Sequence, residues 1–338
     1  MNKKLKMTAG AGIAALALVV AGGGYYNFHV SNDTPDFAIK TIQESLDEHD
    51  TKSFYRAVNV ESVLDSGYEG FVNSLTDNET NLTPESKESV KNFMQMLRGP
   101  MILSLKSAID SYIATGDLKV EENGGVVELL EKTGLNDASI RDVRDVQIND
   151  ADKNEAFADL IIYQPELDEE FPLQFILTRG KDNQWQVSRM QNFQDYVEKI
   201  GQARRARLDE YLVNAGEINS RHENSIREAE QKYGMILAVG NLAQDKTRAE
   251  LKALINDVFK KDWETRKQEL FALKVPKGAE SLQNLYMRIC DLAIAAAQNY
   301  AKWMDDQNPA TIKMAEEKIH QVQDLSTETA ALAKHMTT

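Results

Sequence analysis

Apolar residues recur at steps of three and four along most of this chain and at steps of two in one interior stretch, so helical segments enclose a run of strands. Thr34-Pro35 reads as a cap followed by proline at the first helical position, and Ile39, Ile42 and Leu46 share a face, which predicts a helix over 35–48. His49-Asp50 breaks it, with Asp50 capping a short helix that holds Phe54 and Tyr55. Val63, Leu64, Tyr68, Phe71, Val72 and Leu75 predict a helix over 61–75, and the polar segment 76–81 reads as a loop. Thr83-Pro84 repeats the cap signal and opens a long helix through Phe93, Met96, Leu97, Ile102, Leu103, Leu105, Ile109 and Ile113 to Gly116, with a kink or break expected at Gly99-Pro100. Asn123-Gly124-Gly125 marks a turn before a short helix over 126–132.

From Ser139 the period changes. Val143, Val146 and Ile148, then Phe157, Leu160 and Ile162, then Phe171, Leu173, Phe175 and Leu177, and finally Trp185, Val187 and Met190 predict four strands in an antiparallel meander. The turn Gly180-Lys181-Asp182-Asn183 is the clearest hairpin signal. Helices followed by an antiparallel sheet define an α+β domain over 33–193, with Trp185, Phe37, Phe54, Tyr55, Tyr68 and Phe71 expected in the core between the layers.

Residues 194–338 are helical throughout and predict an all-α antiparallel bundle. Leu208, Tyr211, Ala215, Ile218, His222, Ile226, Ala229, Tyr233 and Ile236 trace one long stripe. Thr247-Arg248-Ala249-Glu250 reads as a capping box opening a second helix through Leu251, Ile255, Phe259 and Leu270, ended by Val275-Pro276-Lys277-Gly278. A third runs from Leu282 to Trp303, apolar nearly all round over Leu292 to Ala297, and Asn308-Pro309 opens a fourth. No Pro- or Gly-rich linker precedes the bundle, so its first helix is expected to grow directly out of the last strand.

Charge adds a location. Lys3, Lys4 and Lys6 are the only charges in the first thirty residues and account for +3 of a net −14, leaving −17 on the rest. They precede an uncharged stretch, Met7 to Tyr26, so residues 1–30 read as an export segment. Two outcomes are open: cleavage after Val19-Val20-Ala21, or retention of residues 7–26 as a single-pass anchor with the N-terminus in the cytoplasm and Tyr25-Tyr26 at the interface. The single Cys290 makes no intramolecular disulfide and, far from the leader, excludes a lipoprotein. The acidity argues against nucleic acid as a partner.

No motif assigns chemistry. Gly10-Ala11-Gly12-Ile13-Ala14-Ala15 matches a dinucleotide fingerprint, but no strand precedes it. Asp150, Asp152 and Asn154 have calcium-loop spacing, yet Glu155 and Ile161 stand where Gly and Glu are required, which leaves a polar turn. The five histidines form no paired motif, and His222, in an apolar stripe, reads as a hydrogen-bonded core or interface residue. Asp168-Glu169-Glu170 reads as solvated charge, and Arg204, Arg205 and Arg207 as surface ion-pair formers beside Asp209 and Glu210. No catalytic, cofactor-binding or metal-binding residue is assigned, and no cofactor is expected.

The run from Thr34-Pro35-Asp36-Phe37 through His49-Asp50 and Phe54 to Val60-Glu61-Ser62-Val63-Leu64 resembles the start of a family of exported bacterial domains of unknown function. The stretch Trp185 to Phe193 is similar to the terminal strand of cone-shaped NTF2-like α+β domains. The resemblance is confined to residues 33–193 and implies a cell-envelope location and a pocket or interaction surface, with no catalytic residue carried over. The expectation is an extracytoplasmic, membrane-anchored, non-enzymatic protein binding a small ligand or an envelope protein. Two alternatives stand beside it: an envelope hydrolase using dispersed carboxylates in the α+β cavity, which requires two acids facing one pocket, and an assembly protein with an exposed apolar patch on its bundle.

Overall fold

The computed structural model describes residues 33–77, 83–116 and 125–337; the export segment at 1–30, with its anchor at 7–26, and the Asn123-Gly124 turn lie outside the described residues. No helix among the described residues is long and apolar enough to cross a membrane. The chain divides into two compact units, the first ending at Ala203 and the second spanning Arg204–Thr338.

Among the described residues of the first unit, five helices precede the sheet: α1 (Pro35–Asp47), α2 (Thr51–Ala57), α3 (Val60–Asp77), α4 (Pro84–Thr115) and α5 (Gly125–Lys132). Their ends follow the predicted signals. Asp50 Oδ1 accepts from the backbone N–H groups of Lys52 and Ser53 at 3.0 and 3.1 Å, and Thr83 Oγ1 accepts from that of Ser86 at 3.2 Å. His49 turns the corner with φ at 58°, and its Nδ1 lies 2.8 Å from the Ile113 carbonyl, tying that corner to the end of α4. The expected break at Gly99-Pro100 does not occur. Both residues face solvent, so the missing N–H and the proline ring fall on the outside of α4 and leave its buried stripe, Leu105, Ala108, Ile109 and Ile113, intact.

Strands β1 (Ser139–Ile148), β2 (Glu155–Gln164), β3 (Glu169–Arg179) and β4 (Trp185–Met190) form an antiparallel sheet in the order β1-β2-β3-β4. Registers such as Leu160–Leu173 and Ile162–Phe171 stack one continuous buried face. Phe157 is out of phase with Leu160 and Ile162: with a side-chain period of two it falls on the opposite face, half-exposed, opposite Ile176. The buried face begins instead with Ala156 and Ala158. Phe54, Tyr68, Phe71 and Trp185 are buried as expected, whereas Phe37 and Tyr55 are half-buried.

Helix α6 (Phe193–Val239) starts three residues after β4. Its first turns, Phe193, Tyr196, Val197 and Ile200, belong to the core of the first unit, which is why the division falls at 203/204, inside the helix, and not at 193/194. Tyr196 is fully buried, stacks on Phe193, meets Phe171 edge-on, and accepts a 2.7 Å bond from Gln164 Nε2.

The second unit adds α7 (Asp245–Leu254), a π-helical turn (Ile255–Lys260), α8 (Lys261–Phe271), α9 (Glu280–Asp306) and α10 (Pro309–Met336) to the rest of α6. Two expectations need correction. Thr247 does not open a helix: Gln244 holds the cap position and Thr247 is buried inside the first turn, where the Arg248 guanidinium binds the Leu242 and Met304 carbonyls and ties that turn to the end of α9. The helix read as continuous to Leu270 is interrupted by the π turn, because six residues are too few for a change of period to show in a sequence. Helix α9 packs against α7, the π turn, α8 and α10, and every residue from Leu292 to Ala297 is at least half-buried.

Candidate functional site

The interior of the α+β unit is where a small ligand was expected. One cavity there, among the described residues, has a volume of about 20 Å³ and is lined by Leu64, Gly67, Phe71, Leu105, Met190 and Phe193 among others. That space holds about one water molecule, while pockets for organic ligands measure roughly 300–1,000 Å³. Met190 does the filling: a Cβ at Gly67 would stand 2.7 Å from its Cε. Among the described residues no carboxylate lines the cavity, so they do not supply it with the acid pair that the hydrolase alternative requires. Asp36, whose carboxyl burial pushes above its ordinary value, is at the start of α1 and not in that lining. Asp168-Glu169-Glu170 are exposed, Asp168 accepting from the Tyr163 hydroxyl at 2.6 Å. Asp150 pairs with Lys153 at 2.9 Å, and Asp152 accepts from the Asn154 N–H at 2.9 Å, the polar turn expected.

The second candidate is a buried ionic cluster in the bundle. His222 on α6 places Nδ1 2.9 Å from Asp262 Oδ1 and Nε2 3.1 Å from Glu269 Oε2, both on α8. Carboxylates only accept, so each of these bonds needs a proton on the ring nitrogen that makes it. Arg221 also reaches Glu269. One helical turn from Asp262 lies Arg266, 5% exposed, stacked 4.0 Å from the Trp263 ring, with burial holding its guanidinium below the usual range. Its Nε and Nη2, and Asp262 Oδ2, are buried without a hydrogen-bond partner. Cys290 on α9 is buried beside it, and burial pushes its thiol up to about 11. The acids occupy opposite edges of the imidazole, so they do not converge on one point as metal ligands would. Among the described residues no group of three or more His, Cys, Asp or Glu could hold a metal ion. With both ring nitrogens engaged, His222 ties α6 to α8. The periodicity placed His222 in a buried stripe, but its partners stand some forty residues away, and only Asp262, Arg266 and Glu269 at steps of four and three hinted at one face.

The third candidate is the outer face of α4. Phe93 is 59% exposed, Met96 78% and Leu103 69%, with Gly99 and Pro100 also exposed between them. Between Ser89 and Ser107 every exposed residue except Lys91 is uncharged, in a chain of which 27% is charged. Lys91 pairs with Asp77 at 3.3 Å, Arg98 with Asp65 at 2.9 Å, and Lys106 lies over the Tyr55 ring. These cations are drawn to the flanks. The positions Ser89, Phe93, Met96, Pro100, Leu103 and Ser107 follow one another by alternating steps of four and three, the spacing of a helix–helix contact line about 27 Å long. The sequence holds this pattern, but merges it with the inward stripe of the same helix. On the bundle, Val213, Phe271 and Met314 are exposed apart from one another along the chain, while Met235 and Val239 stand one turn apart at the end of α6, and the open groove beside Met235, of about 510 Å³, has Lys232, Glu250 and Asp257 among its lining residues.

Compared with protein-family models, with curated proteins and with solved structures, the chain matches none.

Proposed function

We propose that this chain is a membrane-anchored, extracytoplasmic interaction protein of a bacterial cell envelope, without catalytic turnover, that works through the outer face of α4. The observation that carries the reading is the uncharged row Phe93, Met96, Pro100 and Leu103, left exposed on an unbroken helix whose other side is buried. Exposed apolar surface of this kind is costly in water unless a partner covers it for part of the time. The leader, with Lys3, Lys4 and Lys6 before an uncharged stretch, supports the location. The resemblance of residues 33–193 to cone-shaped exported domains belongs to the same proposal, supported by the order of helices before meander.

Two measurements test it. A photo-crosslinking phenylalanine analogue at Met96, compared with one at exposed Lys181 on the β3–β4 turn, is expected to give adducts from position 96 alone; silence at position 96 removes the interaction surface. Carbonate and detergent fractionation with intact mass is expected to recover residues 1–30 in the detergent fraction, whereas a soluble product starting near Gly22 replaces anchoring by secretion.

A further inference from the structure

The α4 row has a symmetry that selects its partner. Measured from Arg98, Phe93 and Leu103 stand five residues to either side, Met96 and Pro100 two, and Ser89 and Ser107 nine. We propose that the partner is a second copy of this chain, docked through α4 in antiparallel orientation about a two-fold axis beside residue 98. Phe93 then meets the partner's Leu103, Met96 meets the partner's Pro100, and Ser89 meets the partner's Ser107. A two-fold interface must be self-complementary in this way, and here each large side chain falls opposite another apolar one with serines closing both ends.

Electrostatics favour the same face. Two copies that each carry −14 repel one another, and contact costs least where the surface is uncharged and its flanking cations are held by Asp77 and Asp65. At the centre, Gly99 leaves open space where a Cβ would stand, so the two helices can approach closely. Pro100 supplies no N–H, which leaves the Met96 carbonyl on this face without its donor from within the helix. A contact line five turns long covers roughly half of the ~800 Å² per partner of a standard interface. A patch of that size belongs with weak, reversible association, which tightens with added salt as the repulsion is screened.

This inference rests on the interaction reading of α4, and the test separates the two. In the full-length chain with buried Cys290→Ala as background, Gly99→Cys is expected to form a disulfide-linked dimer on mild oxidation, since position 99 lies beside the axis. Ser89→Cys alone is expected to remain monomeric, while a mixture of Ser89→Cys with a differently tagged Ser107→Cys is expected to give the mixed dimer. Leu103→Asp, at an exposed position that leaves the circular dichroism unchanged, is expected to weaken self-association at least about tenfold in sedimentation. Self-linking by Ser89→Cys as efficient as that by Gly99→Cys overturns the antiparallel register. A monomer from about 1 to about 100 μM, with position 96 crosslinking to a different protein or to phosphatidylglycerol vesicles, overturns the second copy and leaves the interaction surface standing. A monomer with no crosslink from position 96 overturns both.

Discussion

His222→Leu tests whether the bundle depends on the ion cluster between α6 and α8. Leucine has similar bulk, so the change removes hydrogen bonds more than volume. Asp262, whose side chain is 8% exposed, loses its 2.9 Å bond from His222 Nδ1 while its Oδ2 is already without a partner. Glu269 keeps Arg221. Leaving a buried carboxylate without its hydrogen-bond donor costs roughly 1–3 kcal/mol and more where the group is charged, which puts this case at about 3 kcal/mol. With a urea slope of ~2 kcal/mol/M the midpoint falls by about 1.5 M. Because the chain forms two units, the assay must report on the bundle alone. Trp185→Phe leaves Trp263 and Trp303, both in the second unit, as the fluorescent reporters. Adding Asp262→Leu removes the orphaned charge, so the double variant is expected to be at least about 2 kcal/mol more stable than the two single losses imply. A midpoint shift below about 0.3 M for His222→Leu, or strict additivity in the cycle, would refute the argument.

Three further outcomes follow from single residues. Gly116→Ala forces a Cβ into the left-handed region, φ 73°, at the end of α4 and within 3.4 Å of the His49 ring, and is expected to lower stability by about 1 kcal/mol; an unchanged denaturation midpoint contradicts that cap. The raised carboxyl of Asp36 has burial as its first cause, so its ionisation weakens the fold as pH rises from the ordinary carboxylate value through the folded one. Asp36→Asn is accordingly expected to raise Tm at pH 7 and to leave it unchanged at pH 3, and equal gains at both would remove the cause. Cys290, 1% exposed and with its thiol pushed up to about 11, is expected to resist a thiol-disulfide reagent at pH 8 until guanidinium unfolds the bundle; rapid reaction of the native chain would place the thiol elsewhere.

What could be read directly from the residues is what depends on near neighbours in the chain. Asp50 and Thr83 cap helices because their side chains reach N–H groups two or three residues on, and Asn308 does the same for α10 through Ala310. The meander and its Gly180–Asn183 turn follow from a period of two and a local hairpin geometry, with Asn183 at φ 67°. The α+β class and the all-helical C-terminal region were legible for that reason.

Tertiary structure decided everything that depends on which surfaces meet. Periodicity marks Phe93, Met96 and Leu103 as apolar together with Leu105 and Ile109, but only packing against the core covers the second group and leaves the first in solvent. Whether the α+β interior is a pocket turns on one methionine, because Met190 extends to the open Cα of Gly67, more than a hundred residues earlier. His222 acquires its acids only when α8 comes alongside α6, and Thr247 loses its capping role once the Arg248 guanidinium binds the Met304 carbonyl and ties that turn to α9. Local free energies set the elements, whereas burial, charge pairing and exposure are properties of pairs of surfaces that a one-dimensional pattern does not contain.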